Sequence, residues 1–147
     1  MLTKNSSRIN NWDLVDVSAG VIVGGYIFEY EYEYEYEYEY ESKHFTLLYR
    51  LAKSKLLWDR RIAVIATHYM IRNDSFELTF KICDMLLDDE QDLLQKACGW
   101  MIREVYKRNN RLAEEYIRRN YYRMKRTTLR YAIERFPEIK RKAFLKK

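Results

Sequence analysis

Apolar residues recur along most of this chain at three- and four-residue spacings, interrupted by short polar clusters. Leu14, Val15, Ala19, Ile22 and Val23 form the first such stripe and predict a helix from Asp13 into the twenties. Phe45, Leu48, Leu51 and Ala52 predict a short helix ending near Ser54. Residues 57–72 read as a long helix built on Ile62, Ala63, Ile65, Ala66, Tyr69 and Met70, with Asn73-Asp74-Ser75 as its stop. Residues 76–87 predict a further helix, stopped by Asp88-Asp89; another spans 92–108, ended by Asn109-Asn110. Two more follow, over 112–123 and 127–136, and Pro137 opens a last short basic helix as its first residue. One stretch obeys a different rule. From Glu29 to Glu41 seven glutamates alternate with six tyrosines. A period of two is a strand's period, and as a helix the tract would stack Glu on Glu at i,i+4. Its monotony is that of a dipeptide expansion, and the insertion at residues 29–41 is read as a mobile loop or a locally extended helix.

The spacing between look-alike segments organises these helices. Arg60-Arg61-Ile62-Ala63-Val64, Gln95-Lys96-Ala97-Cys98-Gly99 and Leu129-Arg130-Tyr131-Ala132-Ile133 share a pattern. Arg61 to Lys96 is 35 residues, Lys96 to Arg130 is 34, and Asp16 to Arg61 is 45, which becomes 34 once 11 residues of the Glu-Tyr tract are removed. A recurring period near 34 predicts a repeat array of two-helix units. The expected fold is therefore all-α: one domain, residues 1–147, of HEAT-like repeats forming a curved superhelix. Alternate helices would line its concave face, with Asp16, Arg61, Lys96 and Arg130 at equivalent positions. The Trp-Leu-Gly-Tyr pattern of tetratricopeptide repeats is not present.

Composition narrows the partners. Four glycines and one proline in 147 residues leave long unbroken stretches, as an all-helical chain requires. The net charge of +5 hides an asymmetry: residues 95–147 hold 17 Lys/Arg against 5 Asp/Glu, a balance of +12, whereas the first 94 balance at −7. A basic back third is the electrostatic footprint of nucleic-acid binding, though a lysine- and arginine-rich helical surface reads the same way. Cys83 and Cys98 sit in apolar helical runs without metal-ligand spacing, which predicts a reduced, intracellular protein. The polar N-terminus lacks a signal-peptide core, and no apolar run nears the roughly 18 residues of a membrane span.

Chemistry concentrates at the predicted inner helices. Trp12 and Asp16 lie four apart, on one helical face, where an indole and a carboxylate suit a cationic guest. The plainer reading is a helix start, with Asn11 as N-cap and Asp13 as a first-turn acid. Trp58 and Arg61 open the next inner helix; Lys96, Trp100 and Arg103 lie on the third; Arg126 and Arg130 lie on the fourth. A groove with indoles, arginines and one carboxylate has what a cationic base lesion in DNA needs: cations for phosphates, rings for the sugar and charged base. Trp58 is read as a packing residue, Arg60 as a salt-bridge partner, and Met70, Met85 and Met101 as core fillers. Tyr121-Tyr122 reads as packing or rim. His44 and His68 stand isolated, without partners for metal or base chemistry.

Four motifs in order now become specific. Asn11-Trp12-Asp13-Leu14-Val15-Asp16, Trp58-Asp59-Arg60-Arg61-Ile62-Ala63, Lys96-Ala97-Cys98-Gly99-Trp100-Met101-Ile102-Arg103-Glu104 and Leu129-Arg130-Tyr131-Ala132-Ile133-Glu134 together resemble the DNA alkylation repair (AlkD-like) glycosylase family. The resemblance covers nearly the whole chain outside residues 1–8 and 29–41. It implies a HEAT-like superhelix cradling double-stranded DNA with alkylated bases. It also implies hydrolytic release of N3- and N7-alkylated purines without metal or other cofactor, in the cytoplasm at the nucleoid. Carried over by position, the catalytic aspartate is Asp16, the lesion-contacting residues are Trp12, Trp100 and Arg61, and Lys96, Arg103, Arg126 and Arg130 fall to the DNA backbone. Members of that family carry further repeats ahead of the aspartate helix, whereas eleven residues precede Trp12 here. The resemblance thus implies a truncated member, or one whose missing repeats a separate chain supplies. Two other functions stand beside the glycosylase: a DNA-binding repeat module without catalysis, and a protein-interaction scaffold whose Lys96, Arg126 and Arg130 would not share a groove.

Overall fold

The computed structural model describes Asp16, residues 19–26 and residues 41–146, the first six of the last group by their backbone alone. Every element among these residues is helical. A π-helical segment spans Ala19–Val23, and seven α-helices follow: α1 Glu41–Ala52, α2 Leu57–Arg72, α3 Glu77–Leu86, α4 Asp92–Arg108, α5 Asn110–Asn120, α6 Arg126–Ala132 and α7 Glu138–Leu145. Residues 29–40 of the Glu-Tyr tract lie outside the described residues, and its last residue, Glu41, opens α1.

Two layers arise because the helices differ in how they are patterned. In α2 five consecutive residues, Ile62 to Ala66, are fully buried. A helix apolar all round must be covered all round, and α2 is: it packs against the π-helical segment, α1, α3 and α4. α4 in turn packs on α2, α3, α5 and α6. The π-helical segment, α2, α4 and α6 thus form one row, and α1, α3 and α5 flank it. α5 shows the one-sided pattern of a flanking helix, burying Ala113, Tyr116 and Ile117 while Arg111, Arg118 and Arg119 face out.

Helices in the row run in the same direction. Arg61 near the start of α2 reaches Leu93 near the start of α4, and His68 further along α2 meets Trp100 further along α4. Two of these joints are close enough to exclude a methyl group. A Cβ on Gly24 would sit 2.3 Å from the Ala66 carbonyl oxygen, and one on Gly99 would sit 2.5 Å from Tyr131 Cβ and 2.6 Å from the Thr128 oxygen.

Short links carry their own logic. After α2, Asp74 takes φ 60°, the left-handed cap position normally held by glycine or asparagine. The Ser75 N–H donates to Met70 O at 2.9 Å and the Asp74 N–H to Ile71 O at 3.0 Å, which closes the helix end. The Asp74 carboxylate accepts from Arg108, 34 residues on. Arg123 with Asp88 and Lys125 with Glu90 repeat that stitch at 35 residues. Asn109, expected as a helix stop, both ends α4 and caps α5, accepting from the Leu112 N–H at 3.1 Å, so α5 starts two residues early. α6 ends at Ala132, short of the expected Phe136, and the chain goes on in tighter turns, with the Glu134 N–H donating to Tyr131 O and the Phe136 N–H to Ile133 O. Pro137 itself is the N-cap of α7, with ψ 143°, instead of its first residue.

Core assignments hold with one exception. Met70 and Met101 are buried and Trp58 packs on the core, but Met85 is exposed. The buried stripe of α3 is Leu78, Ile82 and Leu86, and Met85 lies beside it. Cys83 and Cys98 are free and fully buried; their mutual hydrogen bond and then burial push the Cys83 thiol well above the ordinary range.

Candidate functional site

The predicted aspartate and arginine meet. Arg61 Nε donates to Asp16 Oδ1 at 2.9 Å and Nη2 donates to Oδ2 at 3.0 Å, a two-point grip. Such forked pairing fixes the carboxylate plane as a lysine would not. The third arm, Nη1, donates to the Leu93 carbonyl at the start of α4. Arg61 is thereby locked between the aspartate turn and two row helices, with only 5% of its surface exposed. The Asp16 side chain is 11% exposed. Arg60 is the salt-bridge residue, 2.9 Å from Asp89, with Nη1 also donating to the carbonyls of Ser54 and Lys55.

Two helical turns further along, about 10 Å by helix rise, a second cluster forms. Trp100 packs on the core with its indole Nε1–H donated to Glu104 Oε1 at 3.2 Å. His68 of α2 places its ring centroid 5.8 Å from that of Trp100, tilted at 53°, and its Nε2 3.7 Å from Glu104 Oε2. Lys107 donates to both Glu104 oxygens at 3.0 and 3.1 Å. These side chains, with Ile71, Arg72 and Arg108, line an open cleft of about 430 Å³. Burial lowers the His68 pKa from its ordinary 6.5, the Arg72 and Lys107 charges add to that, and Glu104 opposes it. Burial alone would raise the Glu104 carboxyl, but Lys107, His68 and the Trp100 N–H hold it below its usual value. His68 is thus not isolated. Its partners lie on the next row helix, and counting 32 to 36 residues onward lands on Trp100 and Glu104.

The expected phosphate contacts are dispersed along the row. Lys96 sits one turn before Trp100, paired with Asp92 of its own helix at 2.9 Å, and that hydrogen bond raises its pKa. Arg103 pairs with Glu134 beyond α6. Arg126 donates to the Leu145 carbonyl at 2.7 Å, away towards α7. Arg130 is exposed and holds no ion pair with a described residue. Trp12, and with it Asp13, lies outside the described residues; so does the side chain of His44.

Among the described residues no three His, Cys, Asp or Glu side chains gather as a metal site. No helix among them is long and apolar enough to cross a membrane. No curated protein and no solved structure matches the chain. A family model does: that of the DNA alkylation repair enzymes, over residues 1–136. With nearly the whole length covered and a DNA-repair role attached to the family, the chain belongs to the DNA alkylation repair enzyme family.

Proposed function

We propose that this chain is a DNA glycosylase that hydrolyses the N-glycosidic bond of N3- and N7-alkylated purines in double-stranded DNA. The observation that carries this reading is the carboxylate of Asp16, held at both oxygens by Arg61 and 11% exposed. Alkylation makes the purine cationic and therefore a good leaving group, so no strong acid is needed. The C1′–N bond breaks with its electron pair going to the purine, which leaves neutral. Positive charge grows on the sugar, and a fixed carboxylate beside it stabilises that charge. Water adds its oxygen to C1′ and gives its proton to the carboxylate. Each Asp16 oxygen engaged by Arg61 keeps a further acceptor site for this work.

In this reading Trp100 contacts the lesion, with Trp12 as its counterpart, and Lys96, Arg103, Arg126 and Arg130 meet the phosphates. The row of the π-helical segment, α2, α4 and α6 would be the concave wall of a HEAT-like superhelix, supported by the 34- and 35-residue stitches between its links. The test is release of 7-methylguanine or 3-methyladenine from methylated duplex. Asp16→Asn is expected to slow release by about 10²–10³-fold while its circular dichroism at the assay temperature matches the wild type. Unchanged release by a folded Asp16→Asn protein would remove the assigned role.

A DNA-binding module without catalysis has one observation in its favour: both Asp16 oxygens are engaged by Arg61. It predicts duplex binding that weakens steeply with salt and no base release from any methylated substrate.

A further inference from the structure

We propose that Glu104 is the positioning residue for the indole of Trp100, holding the ring at the cleft between α2 and α4, with Lys107 and His68 holding Glu104 in turn. The inference rests on the reading above that Trp100 touches the lesion. Tryptophan has one donor, Nε1–H, and here it is given to Glu104 Oε1 at 3.2 Å. A pair four residues apart on one helix can be mere helix decoration. Three facts make this one different. The Glu104 side chain is only 15% exposed. Lys107 grips both of its oxygens. The neighbouring helix supplies His68, 3.7 Å from Oε2 and ring to ring with Trp100. The indole is therefore held at its N–H edge by a carboxylate on α4 and against a ring on α2. Its orientation is a property of the α2–α4 joint.

That arrangement makes the indole sensitive to His68. Among the described residues, the charged groups facing the imidazole are Glu104 and Lys107 from α4 and Arg72 from α2 itself, and Gly20 of the π-helical segment lies near its Cβ. Protonating His68 draws Glu104 Oε2 towards it and competes with the Trp100 N–H for the carboxylate.

The experiment follows the 15N-indole resonance of Trp100 in the full chain, assigned by its loss in Trp100→Phe. In the wild type it should be protected from exchange and should shift as pH falls below 6.5, the ordinary histidine value. Glu104→Gln keeps an acceptor and should keep the protection; Glu104→Ala should lose it; His68→Gln should lose the pH-dependent shift. In base release, Glu104→Ala should lower kcat by about 10- to 100-fold, as for a misplaced contact group, with KM changed much less and Glu104→Gln restoring most of the rate. Should Glu104→Ala not fold, Lys107→Met loosens the carboxylate from an exposed position and should partly expose the same N–H to exchange. An indole resonance indifferent to both changes overturns the proposal. A wild type that releases no base removes the glycosylase reading alone, since the resonance still decides what positions Trp100.

Discussion

Breaking the Asp16–Arg61 pair measures how far the fold depends on the site. Arg61→Met deletes three donated hydrogen bonds, two to Asp16 and one to the Leu93 carbonyl, at a position 5% exposed. It leaves the Asp16 carboxylate 11% exposed and without its partner. Removing one member of a buried pair costs about 3–5 kcal/mol, because the survivor keeps its desolvation penalty. Asp16→Asn strands the guanidinium in the same way and belongs in the same range. If the two losses were independent, the double variant would lose about 6–10 kcal/mol, comparable to the whole stability of an ordinary domain. The double variant buries neither charge, so its loss should not exceed that of either single variant, a coupling of about 3 kcal/mol. The assay is urea unfolding followed by circular dichroism and by tryptophan fluorescence, whose coincidence checks two-state behaviour. Losses that add to within about 0.5 kcal/mol would refute the claim that the two charges depend on each other.

Gly99→Ala should lower stability by about 1–3 kcal/mol, because the added carbon meets the Thr128 oxygen and Tyr131 Cβ and cannot rotate away. A fall in melting temperature of roughly 3–12 °C would show it, whereas Gly20→Ala, with nothing nearer than 3.7 Å, should be tolerated. Folding favours neutral His68, so its contribution is complete above pH 6.5 and is lost as pH falls from there through its lowered folded-state value. His68→Gln should flatten the stability profile in that window, and identical slopes in both proteins would refute the assignment.

Repetition was the readable part of this sequence. The spacing of Arg61, Lys96 and Arg130 announced helices in register, and the extents of α2 and α4 match the pattern to the residue. Those two helices end at polar clusters that interrupt long apolar runs, so pattern and boundary coincide. α6 was harder, because no cluster of Asn, Asp or Ser follows Ala132, where it ends. The motifs placed Asp16 and Arg61 at equivalent positions of one cleft, but their pairing, its two-point grip and the Leu93 contact depend on how three elements meet. His68 was missed because its partners were sought nearby in sequence. They stand 32 and 36 residues on, on the next row helix, close to the 35-residue spacing of Arg61 and Lys96. Gly99 looked like any helical glycine; only the crossing with α6 gives its missing methyl a purpose.

The stitches between links have a mechanical consequence. Asp74 with Arg108, Asp88 with Arg123 and Glu90 with Lys125 each join one unit to the next at a partly or fully exposed end. Exposed pairs contribute little each and are screened by salt, while the buried row that holds the helices is not. Ionic strength therefore acts on this chain as it would on a set of plates hinged along one edge. The plates keep their shape and the clasps along the other edge loosen. Under the proposed function, the curvature offered to a duplex would become a function of the solution around it.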